Sequence, residues 1–398
     1  MLSHLRWGFV FQRPQHILTR LARRHDVLFV EEPVFEADAP RLDIEAVSPG
    51  VEVVTPRLAD PAPGFAEAHF APLGKMLGAL LAERRIHQPL VWFYTPMALP
   101  LLKWVEPRGI VYDCMDDLAS FRFAPPELLA REGQLLEVAD VVLTGGPSLQ
   151  LARKPRRPDA RCLPSAVDVH HFDRSGLDQR SAEARQASRL HAGLPAPRLG
   201  YMGVIDERID LELLDGLAAR RPDWSLVMVG PVAKIDPASL PRRSNLHWVG
   251  MASYSLLPHL LPHWDAALMP FALNEATRFI SPTKTLEYLA GGLEIVSTAV
   301  PDVVSLYGHV VRIAQGVDGF ETAIEEALAP PPAGREHAGR ARQALLEAST
   351  WDALVAQVLA AIGPWLGEAA ATAPGRHGDA PGLDEPHAGL AQQAAPPH

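Results

Sequence analysis

Short apolar runs recur along the chain, spaced to leave room for a helix between most neighbours. In the first half they are Val27–Val30, Val51–Val54, Leu90–Tyr94, Gly109–Tyr112 and Val141–Thr144. In the second half they are Leu199–Met202, Ser225–Val229, His247–Val249, Ala266–Met269 and Glu294–Ser297. Within each run the apolar residues are nearly continuous, as in strands buried on both faces of a parallel sheet. Between them Gln15–Arg24, Pro126–Glu137, Leu211–Arg220 and Thr283–Ala290 read as amphipathic helices. Repeated strand–helix alternation with right-handed crossovers predicts a doubly wound α/β architecture.

The alternation stops once, from about Asp173 to Arg198, in a polar Arg- and Ala-rich stretch ending Gly193-Leu194-Pro195-Ala196-Pro197. A linker over 176–198 is expected there, dividing a domain over 1–175 from one over 199–348. In the segment 349–366, Trp351–Ile362 reads as an amphipathic helix capped by Ser349 or Thr350. Beyond it, 367–398 is Ala, Pro, Gly, His and acidic residues, too poor in apolar groups to offset ordering entropy, and a disordered tail is expected. The beginning is unusual for this architecture. Either Trp7–Phe11 is a shortened first strand or that strand lies upstream of Met1. The second reading is favoured, because Arg13-Pro14-Gln15 looks like a helix start with Pro14 in the first turn.

The length of 398 residues fits two domains, and 47% apolar with 21% charged residues fits an ordinary globular core. A net charge of −10 argues against general nucleic-acid binding. Cys114 and Cys162 are too far apart for a metal-type spacing, so a reducing compartment is the default. No run approaches the ~18–20 apolar residues of a membrane span, and the first residues lack a signal-peptide pattern. A cytoplasmic protein is expected. The first helix carries Arg20, Arg23 and Arg24 and is a candidate for peripheral contact with anionic lipid at the inner membrane face, although such a face is more often simply solvated.

The sharpest chemical signal is Ser281-Pro282-Thr283-Lys284-Thr285-Leu286-Glu287-Tyr288-Leu289-Ala290-Gly291-Gly292 before the run Glu294–Ser297. Pro282 suits a helix start and Gly291-Gly292 a helix end. Lys284 and Glu287 share a helix face. First-turn N–H groups and Lys284 suit a diphosphate, while Glu287, a turn further in, suits ribose hydroxyls. The same pair also reads as a surface contact of ~0.2–0.5 kcal/mol. In the first half, Asp113, Asp116 and Asp117 follow a strand, where the carboxyl ends of parallel strands open onto a cleft. Acids so close raise one another's pKa, which suits a proton acceptor, with Asp116 preferred and Asp113 second. Helix capping and metal chelation are the other readings of the cluster.

Pro282–Ala290 resembles the donor-site helix of retaining GT-B glycosyltransferases of the family-4-like group. Other stretches agree in order and spacing. Leu199-Gly200-Tyr201-Met202-Gly203 with Asp206-Glu207-Arg208-Ile209-Asp210 is similar to that group's first C-domain strand and phosphate loop. Ser225–Gly230 and His247-Trp248-Val249-Gly250 are similar to its next two strands. Ala139–Thr144 and Leu163–Asp168, ending at Phe172, are similar to its last N-domain elements. Trp7–Arg20 and Tyr112–Asp117 resemble a bacterial subgroup of teichuronic-acid-type polysaccharide transferases.

The resemblance implies two Rossmann-like domains facing each other across a cleft, with the C-terminal segment crossing back to the N-domain. It implies transfer of a sugar, with retention, from a UDP- or GDP-linked donor to a saccharide or lipid-linked acceptor in envelope polysaccharide assembly, with no metal or other cofactor. Donor contacts carry over to Gly203, Arg208, Ser281, Pro282, Thr283, Lys284 and Glu287. Contacts to acceptor or donor carry over to Gln12, Arg13 and Gln15. An ion pair of Arg208 with Glu207 or Asp210 is the other reading there. One departure stands out: the group's first glutamate, eight residues before Glu287, is Phe279 here, and Glu275 is displaced from that position. A sugar-nucleotide epimerase of the same fold and a non-catalytic nucleotide-sugar-binding protein are the rival functions.

Overall fold

The computed structural model describes residues 1–36, 39–121, 124–330 and 336–366; the tail expected over 367–398 lies outside them. The second half contains a six-stranded parallel sheet. Its spatial order is Leu246–Gly250, Ser225–Val229, Arg198–Met202, Ala266–Met269, Ile295–Ser297 and Arg312–Ile313. In chain order this is 3-2-1-4-5-6, the doubly wound arrangement whose ligand crevice lies at the carboxyl ends of the strands. All five residues of Ser225–Val229 are buried, as a run without polar alternation requires.

In the first half, Leu90–Phe93, Gly109–Cys114, Val141–Thr144 and Arg161–Cys162 form one parallel run, and Val27–Val30 pairs in parallel with Val51–Leu58. Leu2 joins the two groups. It bridges Val30 on one side and Phe93 on the other, with Leu2 N–H donating to Trp92 O (2.8 Å) and Ser3 N–H to Val30 O (3.0 Å). Trp7–Phe9 is a turn and not the shortened strand. Arg41–Ser48 adds an antiparallel edge strand against Val51–Leu58.

Two expected boundaries shift. The first helix runs Arg13–Leu21, with Pro14 inside its first turn. The linker region contains a helix of its own, Ala182–Leu190, capped by Ser181 and packed through Ala187 into the C-terminal core. Trp351–Ile362 is a helix whose N-cap is Thr350, accepting from Ala353 N–H. It packs on helix Arg13–Leu21 and contributes Trp351, Leu354, Val355, Val358, Ala361 and Ile362 to a cluster of N-domain residues. Each large apolar side chain sealed there is worth roughly 1.5–3 kcal/mol. Arg20 and Arg23, in the segment that is a candidate for lipid contact, both reach Asp352 at the start of Trp351–Ile362 (3.2 and 3.5 Å). No helix among the described residues is long and apolar enough to cross a membrane.

Candidate active site in the interdomain cleft

The loops at the carboxyl ends of both sheets meet between the domains. Ser148 N–H, at the start of the N-domain helix Pro147–Arg153, donates to Asp302 Oδ1 on the C-domain helix Pro301–Tyr307 (2.9 Å). Gly146 makes this approach possible: a Cβ there would lie 2.0 Å from Asp302 Oδ2 and 3.0 Å from Ser281 Cβ. Deeper along the seam, His16 stacks on Trp351 (4.3 Å between centroids) and Tyr254 lies within 4.9 Å of Phe11.

On the C-domain side the strand Arg198–Met202 ends at Gly203, whose φ is +146°. A side chain there would strike Lys284 Cε at 2.0 Å, so the glycine leaves room for the lysine to lie across the loop. Lys284 opens the helix Lys284–Ala290, with Pro282 and Thr283 just before it. That helix is short, so the ammonium itself is the main positive feature and not the helix dipole. Burial holds the Lys284 ammonium below its ordinary pKa, while Glu287, Asp206 and Asp116 pull it back up. Burial likewise raises Glu287 above the usual carboxylate value, opposed by Lys284 and a bond from Thr283. Neither faces bulk solvent: both are only partly exposed, and their fields reach Asp116 and Tyr201.

Arg208 is gripped by Asp206 in a bidentate pair (Nε–Oδ1 2.9 Å, Nη2–Oδ2 2.6 Å). Burial works against the Arg208 charge, but Asp206 more than offsets it and the pKa is raised. The partner is thus neither Glu207 nor Asp210. Asp210 caps the helix Leu211–Arg220, and the carboxylate oxygens of Glu207 are buried without a hydrogen-bond partner.

From the N-domain, Asp116 faces these cations. Burial pushes its carboxyl up to about 6, against the pull of Arg208, Lys234 and Lys284. The other N-domain candidates are engaged elsewhere. Asp113 and Arg13 are both fully buried and joined by two bonds (3.0 and 3.1 Å), with Arg13 Nη1 donating to Leu163 O (2.8 Å). Gln15 donates to Trp7 O and Val10 O and accepts from Gln12 N–H. Asp113 and Arg13 therefore tie the first helix to the end of the strand Gly109–Cys114, and Gln15 ties it to the loop before it. Gln12 is partly exposed at the start of that helix. Asp117 pairs with Arg153 (2.5 Å).

Two residues that sequence reasoning passed over stand at the same cleft: Lys234 and Phe121. The Lys234 ammonium lies 4.4 Å from the Phe121 ring centroid, and the Arg208 guanidinium carbon 5.6 Å. Phe279, in place of the expected first glutamate, packs against the N-domain cluster that includes Met97 and Leu101, with Arg278 over its ring at 5.0 Å. Glu275 is exposed and pairs with Arg278. A separate cavity of about 390 Å³, lined by Met1, Leu28, Trp92, Leu102 and Trp365, opens at the opposite, amino end of the N-domain strands. It is apolar and remote from the acids and cations of the cleft.

No protein-family model matches the chain. Among solved structures it is similar to a sucrose-phosphate synthase from Thermosynechococcus elongatus, with TM-score 0.64 and 18% identity over 86% of this chain and 90% of that one. It is also similar to "trehalose-6-phosphate from E. coli bound with UDP-2-fluoro glucose", with TM-score 0.65 and 12% identity over 90% of this chain and 97% of that one. The fold is GT-B. A curated relative, the putative teichuronic acid biosynthesis glycosyltransferase TuaH of Bacillus subtilis, is 24% identical over 283 residues, covering 66% of this chain and 68% of its own length. In this GT-B chain, Asp116 reaches the cleft from one Rossmann-like unit, and Arg208, Lys284 and Glu287 from the other.

Proposed function

We propose that the protein is a metal-independent glycosyltransferase that takes a sugar from a nucleoside-diphosphate donor. The observation that carries this reading is that one cleft sets a carboxyl of the N-domain, Asp116, against the C-domain cations Arg208 and Lys284. Arg208 is held rigid by Asp206 and is available to a phosphate as a charge-assisted donor. Lys284 neutralises the same diphosphate, and Glu287 accepts from the ribose hydroxyls. Gly203 leaves the backbone open beside them, and the Ser281-Pro282-Thr283 turn completes that wall of the donor site.

The reaction we infer retains the anomeric configuration. An acceptor hydroxyl approaches the anomeric carbon on the face from which the diphosphate departs. The bond from that carbon to the phosphate oxygen breaks, the new glycosidic bond forms, and the hydroxyl proton passes to the departing phosphate. Asp116 orients the hydroxyl by accepting its hydrogen bond. Electrostatic stabilisation of the leaving phosphate by Arg208 and Lys284 supplies most of the rate. By analogy with the TuaH relative, the acceptor is a saccharide or lipid-linked saccharide of envelope polysaccharide assembly. UDP is the favoured nucleotide, because the E. coli neighbour is bound with UDP-2-fluoro glucose.

A thermal-shift panel of UDP-, GDP- and ADP-sugars identifies the donor, since a ligand at a hundred times its Kd adds about 2.7 kcal/mol of stability. With that donor, Lys284→Ala should lower kcat/KM by about 3 kcal/mol, more than a hundredfold. Activity retained within threefold would mean that Lys284 does not serve the phosphates.

A further inference from the structure

The Asp116 carboxylate makes no hydrogen bond or ion pair with another described residue. It sits on a loop between the strand Gly109–Cys114 and the short turn Leu118–Ser120, so its place depends on what fixes the residues on either side. Asp117, next in the chain, is held at both oxygens. Its Oδ1 accepts from Arg153 Nη2 (2.5 Å) and its Oδ2 from the Ser120 hydroxyl. Arg153 also reaches Glu132 on the helix Leu128–Val138, with Nε and Nη2 at 3.1 and 2.8 Å from Oε1. The same Glu132 oxygen accepts from the buried Tyr112 hydroxyl (2.7 Å). Cys114 Sγ lies 3.8 Å from that oxygen and 3.7 Å from Asp116 O, so the network touches the loop at Asp116 itself as well as at its neighbour.

Arg153 closes the helix Pro147–Arg153, whose other end meets the C-domain through Ser148 N–H and Asp302 Oδ1 (2.9 Å). The residues just before that helix lie against the Asp116 loop. Gly145 N–H donates to Cys114 O (2.9 Å), and a Cβ on Gly145 would stand 2.7 Å from Met115 O. One short helix thus joins the Asp116 loop to the domain that carries the donor cations. We propose that Arg153 is a positioning residue for the transfer step, holding Asp116 in register with Arg208 and Lys284 through Asp117 and Glu132. The fork of the guanidinium matters here, because it serves two carboxylates on separate elements in a fixed geometry that a single ammonium does not reproduce. A displacement of ~1 Å at a reacting group is enough to cost about a hundredfold in rate. All of these Arg153 bonds stay within the N-domain, so its loss should fall on turnover and not on donor binding. The inference rests on the glycosyl-transfer reading, which gives Asp116 a hydroxyl to orient.

The test places Arg153→Lys in the native chain and in the Asp116→Asn background. In the native chain it should lower kcat at least tenfold while keeping KM for the nucleotide sugar and the UDP-induced thermal shift within twofold. In the Asp116→Asn background it should cost nothing further, because the two residues act as one unit. Equal losses in both backgrounds would mean that Arg153 serves the fold and not Asp116, and would overturn the proposal. So would full turnover in Arg153→Lys, since charge without the fork would then suffice. Backbone hydrogen exchange gives a reading free of turnover. The amides of Met115, Ser120 and Phe121, bonded to Asp113 O, Asp117 O and Leu118 O, should exchange at least tenfold faster in Arg153→Lys, while those of the strand Val141–Thr144 keep their rates. Unchanged exchange at the three amides, or an equal rise in the strand, would overturn the clamp. If the wild-type chain released no nucleoside diphosphate from any donor sugar, the transferase reading would fall, and the exchange result would still decide for or against the clamp.

Discussion

Replacing Asp113 by Asn keeps the shape of the side chain and removes its charge. In the native protein Asp113 and Arg13 are both sealed from solvent, and two N–H groups of the guanidinium donate to the two carboxylate oxygens at 3.0 and 3.1 Å. The amide offers one acceptor oxygen and turns an NH₂ toward the second N–H. A full positive charge then stays buried with only Leu163 O and half a partner to answer it. Breaking a buried pair in this way costs about 3–5 kcal/mol. For a folding unit of 150–250 residues, each kcal/mol moves Tm by about 2–4 °C, so a fall of roughly 6–20 °C is expected. Urea denaturation followed by far-UV circular dichroism should show a lower midpoint at an unchanged m-value. The double variant Arg13→Met, Asp113→Leu should regain most of the loss, because apolar residues of similar volume replace such pairs at little cost. A stability loss under 1 kcal/mol in Asp113→Asn would refute the bracing role. So would full stability combined with abolished turnover, which would return Asp113 to the chemistry.

Asp116, with its pKa raised to about 6 by burial, has to be ionised to accept a hydroxyl proton's hydrogen bond, so kcat/KM should climb between pH 5 and 7. Asp116→Asn should flatten that limb; an unchanged profile would remove Asp116 from the reaction. The same raised value means that the folded state holds its proton longer than the unfolded chain does. This group's contribution to stability is therefore complete below about pH 4 and is lost as pH rises through 6. Asp116→Asn should accordingly make the protein less sensitive to pH over that window in urea titrations. Gly146→Ala forces a methyl group against Asp302, which is 1% exposed and tied to Ser148 N–H, so the seam should open. Small-angle scattering should report a larger radius of gyration, and kcat/KM should fall at least tenfold; identical scattering and rate would show the contact to be incidental.

Val34–Phe35, Arg161–Cys162 and Arg312–Ile313 escaped because two residues make no run, while most longer strands were legible because burial on two faces leaves nearly continuous apolar stretches. Arg41–Ser48 escaped for the opposite reason: an edge strand exposed on one side alternates and carries Arg41, Asp43 and Glu45. Leu2 escaped because a single bridging residue has no period. In the cleft, Lys284 and Glu287 could be read as one unit because they sit three apart on a single helix. Arg208 with Asp206 is similarly local. Phe121 and Lys234 lie on different domains and meet only through their docking, so no spacing could join them. Asp113 was drawn to the chemistry by its neighbours, because sequence shows that a residue is charged but not that an arginine 100 positions away has already claimed it.

The helix Trp351–Ile362 has a consequence for biosynthesis. It fills the core of the domain made earlier of the two, against Ile17, Leu18 and Trp92. That earlier domain cannot close its hydrophobic interior until the chain has been made through Ile362, whereas the later one carries its own complete sheet. The order of synthesis and the order of maturation should therefore run in opposite directions for these two domains, the earlier one staying open until Trp351–Ile362 arrives.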